Sequence, residues 1–598
     1  MHALFKCLGT ISPALYLNLV LYYCYARLAS VPGTTALVFG CFLCCCYVLG
    51  DVLLRLAFVR WGTRMGGRAP QVWASICLLR NVMLTPIYAL SLVSMHCWQE
   101  SLHWHTLLGS GRNFPGLVSA LGPVVYLWVV LVCAVLCLFL WLHYHRVTVR
   151  YQRMLSEGPA GAPLASRIPE LARMSVVIVS LDLALVADGA SFLDSLPRDP
   201  VVCFYLGRNE EWSSEADVVA DRMERTAYPS AVAKRRADVI IITVDCLRAD
   251  HLPLYGYERN TTPFLNEFVR AEKMGRIDMA LSVGNKTKFG VLGTFASRFV
   301  GNLRTDSFKL YEVLKKQGYA THLISSGDKT KFMQMENWYG KDLDLIHDGV
   351  KPGPFEMFDD RQVAAVLESL PDRGETPSFF YLHISSAHPM GMRLPEFERW
   401  SWRGNSDQRQ KYCNQYDNGV LQADHTIGEI IAVLRRKGYM KDYLLFIDGD
   451  HGESIGEQEA YGHGYHLTVE QLRVPLFWKD STLGQTPDYP FASLADIAPT
   501  VLSRLGLPIP KVWDGLPFEQ VSQRTDTFVA SSKLVGWAGL VRPGDGTLFY
   551  LTKVAGEGQF EEQAYRLAED PRQTVNVIGS LSASEREGLR KKVCAQFQ

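Results

Sequence analysis

The sequence predicts two unlike parts: an α-helical membrane domain of about five spans, then an α/β domain on a mainly parallel central sheet. Three observations predict it. Hydrophobic residues make up 48% of the 598, but they are densest before residue 150. Beyond about residue 237, strand-like apolar runs alternate with helical stretches, the pattern of parallel strands joined by helices. Acidic residues and histidines gather where those strand-like runs end.

A spanning helix needs roughly 20 mainly apolar residues. Runs at about 11–30, 35–58, 71–95 and 115–142 meet that need, and 174–192 is a weaker fifth because it holds Asp182 and Asp188. The first run has no small-residue cleavage site and another span follows at once, so it reads as an anchor. Arginines mark the second loop (Arg60, Arg64, Arg68) and the fourth (Arg146, Arg150, Arg153, Arg167, Arg173). The positive-inside rule places these loops and the N-terminus in the cytoplasm. Five spans then put the rest of the chain outside, and four keep it in the cytoplasm. The charges favour five, the alternative being a buried or interfacial helix at 174–192. The expected division is a transmembrane domain 1–192, a connector 193–236 and a catalytic domain 237–598.

In the last part, VIIITV (239–244) is a continuous apolar run, as a strand covered on both faces requires. The stretch SFKLYEVLKKQG ends at Gly318, a helix stop, and YATHLIS follows as a strand. FFYLHIS (379–385) is a third strand. Residues 416–437 place Val420, Leu421, Ile427, Ile430, Ile431 and Leu434 on one helical face. Gly438 ends that helix and YLLFI (443–447) is the next strand. Sheets of this kind bind ligands beyond the C-terminal ends of their strands.

Zero net charge gives no support for nucleic-acid binding. Ten of the 14 cysteines precede residue 140, mostly in apolar runs. They read as packing residues, without the spacing of a zinc-thiolate site or a disulfide framework. The candidate site residues follow the strands instead. VIIITV runs into Asp245, FFYLHIS into His388, and YLLFI into Asp448, Gly449, Asp450 and His451. Carboxylate and imidazole ligands of this kind suit Zn²⁺ or Mn²⁺.

These motifs carry a family resemblance. VDCLRADHLPLYGYERNTTPFL, opened by Asp245, resembles the first motif of the sulfatase and alkaline-phosphatase-like superfamily, and FIDGDHGESIGEQEAYGHGY (446–465) resembles its second metal motif. YDNGVLQADHTIGEII (416–431) is similar to the preceding helix of bacterial phosphoethanolamine and phosphoglycerol transferases. SLADIAPTVLSRLGLPIP (493–510) and AYRLAEDPRQTVNVI (564–578) resemble sulfatase C-terminal segments. The resemblance covers about 237–580 and implies a sulfatase-like fold with a small C-terminal antiparallel sheet. Sulfatases carry a Cys-x-Pro-x-Arg signature. Here LSVGNKTKFGVLGTFASRF (281–299) has no cysteine and places Thr287 where the membrane transferases have their catalytic threonine. Read without the resemblance, Thr287 is a helix cap in a Gly-rich loop.

The resemblance thus implies Asp245, Thr287, Asp450 and His451 as ligands of one or two divalent ions (Zn or Mn), with Thr287 as nucleophile. His388 and His463 stand as the substrate-side histidines, and Lys286 and Lys288 flank the nucleophile. The implied reaction moves phosphoethanolamine or phosphoglycerol from a phospholipid donor to a glycan or lipid acceptor, from the periplasmic side of a bacterial inner membrane. A hydrolase with the same site, and a non-catalytic membrane lipid sensor, are the alternatives. Asp245 follows the sulfatase form, since the transferases commonly have Glu there, and the cysteines common around their nucleophile are absent. His466 stands close enough to His463 in sequence to be a second candidate for its place.

Overall fold

A computed structural model describes residues 215–598 apart from 328, 331–334, 350–354, 465–466, 532–536, 545–546, 557–558 and 597–598, together with Ser75, His145 and Val149. Apart from Ser75, the five expected spans lie outside the described residues, as do the connector up to 214 and His466. Among the described residues no helix is long and apolar enough to cross a membrane. Within the expected connector, Glu215–Ala227 is a helix, α1. Asp221 on it accepts the Phe308 N–H at 2.9 Å and pairs with Arg298 at 2.9 Å.

The central sheet comprises β1 (Asp238–Val244), β2 (Gly275–Leu281), β3 (Ala320–Ser325), β4 (Leu345–His347), β5 (Ser378–Ile384), β6 (Tyr443–Gly449), β7 (Arg473–Val474), β8 (Leu476–Asp480) and β9 (Tyr489–Ser493). Its order is β9-β2-β8-β6-β1-β5-β3-β4, with β7 beside β2. The run β6-β1-β5-β3-β4 is parallel throughout. The sheet is mixed rather than mainly parallel toward its other edge, because β8 runs antiparallel to both β6 and β2. The chain leaves β6 at the C-terminal edge, forms the loop holding Asp450 and His451, and re-enters from that same edge. A strand entering that way must run in reverse and needs no crossover helix.

Why β1 has no polar alternation follows from its neighbours. Val239 and Ile241 face one core with Phe379, Tyr381, Leu444 and Phe446; Ile240, Ile242 and Val244 face the other with Phe380, Leu382, Leu445 and Ile447. The first face is covered by α2 (Thr287–Ala296), whose Leu292 and Phe295 are fully buried. The second is covered by α3 (Gln408–Arg436), through Val420, Ile427, Ile430, Ile431 and Leu434. That helix begins two turns before the stretch expected, with Asp407 capping the amides of Arg409 and Gln410. Gly318 (φ 79°) and Gly438 (φ 84°) both take the left-handed turn expected of helix stops. The expected small antiparallel sheet is four-stranded, from Thr527–Ala530 to Gln559–Arg566.

Candidate active site

The polar residues gather at the C-terminal ends of β1, β5 and β6 and at the N-terminus of α2. Asp245 extends β1 by one ladder bond, its N–H donating to Ile384 O at 2.9 Å. Cys246 then takes φ 65°, a left-handed turn that costs a residue with a Cβ. Asp450 and His451 follow β6 directly. Thr287 is the first residue of α2. Lys286 is its N-cap, and no side chain caps the helix, so the Thr287 hydroxyl is not spent as a cap. Gly290 lets α2 approach: a Cβ there would lie 2.1 Å from Asp450 O.

Thr287 Oγ1 lies 3.4 Å from Asp245 Oδ1 and 3.2 Å from His451 Nε2. Facing oxygens and nitrogens of Asp245, Asp450 and His451 lie within 4.8 Å of one another, and all four residues are buried. Each group has one side occupied and one side turned to this centre. Asp245 Oδ2 takes the Lys329 ammonium, leaving Oδ1 for the centre. Asp450 Oδ1 accepts the N–H groups of Cys246 (3.1 Å) and His451 (2.9 Å), leaving Oδ2 near His451 and His383. His451 Nδ1 lies 2.8 Å from Gly452 O, which fixes it as the donor and frees the Nε2 lone pair. Two carboxylates, one imidazole and a hydroxyl around one point fit a divalent cation such as Zn²⁺ or Mn²⁺.

The electrostatics agree with that arrangement. Burial pushes the Asp245 carboxyl up, but Lys329 with His388, His383 and His451 outweighs it and holds the group well below the usual carboxylate range. Burial and the neighbouring Asp245 push Asp450 up, while His451 and His383 bring it below its ordinary value. Burial lowers His451, which favours the neutral form a ligand needs.

The two remaining expected residues sit beside this centre. His463 packs its ring 4.3 Å from that of His451 and 5.3 Å from that of His388, centroid to centroid. His463 Nδ1 lies 2.7 Å from Glu453 Oε2; burial lowers its pKa, but Glu453 more than offsets this and raises it. His388 accepts the Met390 N–H on Nδ1 at 3.0 Å, and burial depresses its pKa to about 4. The six expected residues therefore share one neighbourhood. Asp448 does not join the centre. It lies in register with Thr243 and His383 on the face toward α2, buried, and burial pushes its carboxyl well above the usual range. Lys288 lies over the Trp338 ring at 4.4 Å.

Four contributors escaped the sequence reading. Lys329 lies four residues past β3, the same kind of strand-end position that flagged Asp245, so the signal was present. Glu453 belongs to a quoted motif and was given no role. His383 lies inside β5, where the alternating parity of a strand turns it to the face of Asp450. Cys246 follows Asp245 directly and carries no role in the sequence reading, yet its thiol is 3.1 Å from Glu453 Oε2 and 3.5 Å from His463 Nδ1.

The Sulfatase family model matches residues 237–507. A Kdo(2)-lipid A phosphoethanolamine 7''-transferase of Escherichia coli is 28% identical over 302 residues, 47% of this chain and 51% of its own length. The phosphoethanolamine transferase EptA of Helicobacter pylori is 24% identical over 255 residues, 40% of this chain and 46% of its own. The chain thus spans about half the length of these curated relatives. A solved alkaline-phosphatase-superfamily protein from Vibrio parahaemolyticus superposes with a TM-score of 0.46 at 17% identity, covering 64% of this chain and 96% of that one. Residues 237–507 thus match the Sulfatase family model, and over part of its length the chain is similar to phosphoethanolamine transferases.

Proposed function

We propose that this chain is a metal-dependent transferase that moves a phosphorylated head group, phosphoethanolamine or phosphoglycerol, from a phospholipid to a glycan or lipid acceptor through a phospho-Thr287 intermediate. The observation that carries the reading is the Thr287 hydroxyl at a helix N-terminus, uncommitted to capping and 3.2–3.4 Å from His451 and Asp245. Residues 237–598 form the catalytic part, the five expected spans at 1–192 bring it to lipid, and the site works on the periplasmic side of an inner membrane.

The protein's own part in the chemistry is positional. Asp245 Oδ1 and His451 Nε2 fix the Thr287 side chain on the donor phosphorus, and the amides at the start of α2 favour phosphoryl oxygens. Asp245, Asp450, His451 and Thr287 would hold a divalent cation, which would supply Lewis-acid polarisation of the phosphoryl group and ease loss of the hydroxyl proton. The Oγ1–P bond forms as the P–O bond to diacylglycerol breaks, and the proton lost from Thr287 ends on the departing alcohol. His388, with Nδ1 occupied by Met390, presents Nε2–H as a donor to that oxygen. His463, with Nδ1 on Glu453, presents Nε2–H to the phosphoryl oxygens. An acceptor hydroxyl then attacks the phosphorus, the Oγ1–P bond breaks, and the acceptor's proton ends on Thr287 Oγ1.

Incubating the full chain with phospholipid labelled in its head group, followed by acid quench and peptide mass spectrometry, tests this. The expected result is a head-group phosphate on Thr287 that is chased off by acceptor. An adduct on another residue overturns the nucleophile. An adduct chased at the same rate by water alone makes the protein a hydrolase.

A further inference from the structure

We infer that this domain holds a second metal position, formed by Cys246 Sγ, Glu453 Oε2 and His463 Nδ1, whose thiolate selects zinc over manganese. Cys246 Sγ lies 3.1 Å from Glu453 Oε2 and 3.5 Å from His463 Nδ1, and Glu453 Oε2 lies 2.7 Å from His463 Nδ1. These are three different donor types in one triangle. Four-coordinate zinc, with bonds of about 2.0–2.3 Å, separates its donors by roughly 3.3–3.6 Å. The triangle therefore needs to widen by only a few tenths of an ångström along two edges.

Tyr412 donates to Glu453 Oε1 at 3.1 Å and so turns Oε2 to the triangle. The His451 Nδ1 atom is 3.8 Å from the thiol but committed to Gly452 O, which leaves His451 to the first centre through Nε2. Three protein donors leave a fourth direction for water or a phosphoryl oxygen, as catalytic zinc sites keep. The strained φ of Cys246 points the same way, since it holds the thiol in the polar pocket and away from the core.

The two positions differ in donor softness, and that gives the test. The Asp245–Asp450–His451–Thr287 set is oxygen-rich and accepts Mn²⁺; a thiolate favours zinc and its spectroscopic substitute cobalt. The inference rests on the proposed function only for the role of the second ion, not for its binding.

The full chain is stripped with chelator and titrated separately with Mn²⁺ and Co²⁺, with metal content and absorption recorded. The expected result is one Mn²⁺ per chain but two Co²⁺, the second accompanied by a near-ultraviolet thiolate-to-cobalt band. Cys246→Ser and Cys246→Ala lose the band and one Co²⁺ while keeping the Mn²⁺. One Co²⁺ without a band overturns the second position and leaves the first standing. One Co²⁺ with the band also overturns it, because Cys246 then joins the first centre. A band that survives both substitutions belongs to another cysteine and overturns it too. Only a chain that binds neither ion removes the proposed function as well.

Discussion

Two buried clusters in this domain bring carboxylate, cysteine and histidine together, and they are built to opposite rules. At Asp417 every acceptor meets a donor. Oδ1 is 2.7 Å from His251 Nδ1, and Oδ2 accepts from Tyr257 OH at 2.8 Å and Arg259 Nη1 at 2.7 Å. With Cys413 this group has metal-like spacing, but the Arg259 guanidinium already supplies the cation. At Asp245, by contrast, Asp450 brings a second carboxylate; Lys329 pairs with Asp245 Oδ2, but the inward Asp245 Oδ1 and Asp450 Oδ2 face the Thr287 hydroxyl and imidazoles. The first cluster is complete as protein, and the second leaves inward oxygens and an imidazole nitrogen for the proposed cation. Burial of charge alone thus says little about function, whereas an unfinished set of donors and acceptors says much.

The sharpest break of this comparison is Thr287→Ala. It should lower turnover by at least about 10³-fold, as loss of a covalent nucleophile does, with thermal unfolding little changed because Oγ1 neither caps α2 nor fills a core. Retained turnover would place the chemistry elsewhere. Asp450→Asn comes next. The amide keeps an oxygen for the two N–H donors but removes one of two facing negative charges. Metal affinity should fall at least about 100-fold, while the chelator-stripped protein melts higher than stripped wild type. A stripped variant that melts lower would mean that the site is not frustrated without metal. Asp417→Ala is the mirror case. It leaves Arg259 without its partner and should cost about 3 kcal/mol of stability in denaturant titration, with metal content unchanged. Lost metal at constant stability would invert the assignment of the two clusters.

How much of this could be read from the sequence depended on whether a residue's surroundings are set locally. Asp245, Asp450 and His451 follow apolar runs that can only be strands, and parallel strands put their ends on one edge, so their convergence was legible. The reversal of β8 was not, because its direction depends on where the loop after β6 re-enters the sheet. Cys246 drew no role because cysteine has no local polarity signal. Its environment is made by Glu453 and His463, more than 200 residues later. The membrane-span reading rests on composition and charge alone.

A third carboxylate, on the strand that broke the parallel pattern, tests the rule at its mild end. Asp480 closes β8 with its side chain buried, yet it is fully matched: Arg235 reaches Oδ1 at 2.9 Å, Arg504 reaches Oδ2 at 2.7 Å, and the Thr482 hydroxyl donates at 2.7 Å. Burial raises its pKa, but the Thr482 hydroxyl and amide, Arg504 and Arg235 together hold it below the ordinary carboxylate value. A folded-state pKa below the unfolded one means the unfolded chain binds the proton first as pH falls. The contribution is therefore complete above the unfolded carboxylate range and is lost as pH drops through the folded value. Asp480→Asn should cost about 1–2 kcal/mol at neutral pH, and the gap to wild type should narrow steadily below about pH 4. Denaturant midpoints across that range measure it, and a gap that stays constant with pH would show that Asp480 contributes through packing and not through charge. Unlike Asp450→Asn, this substitution has no facing carboxylate to relieve, so it should destabilise the protein with or without metal.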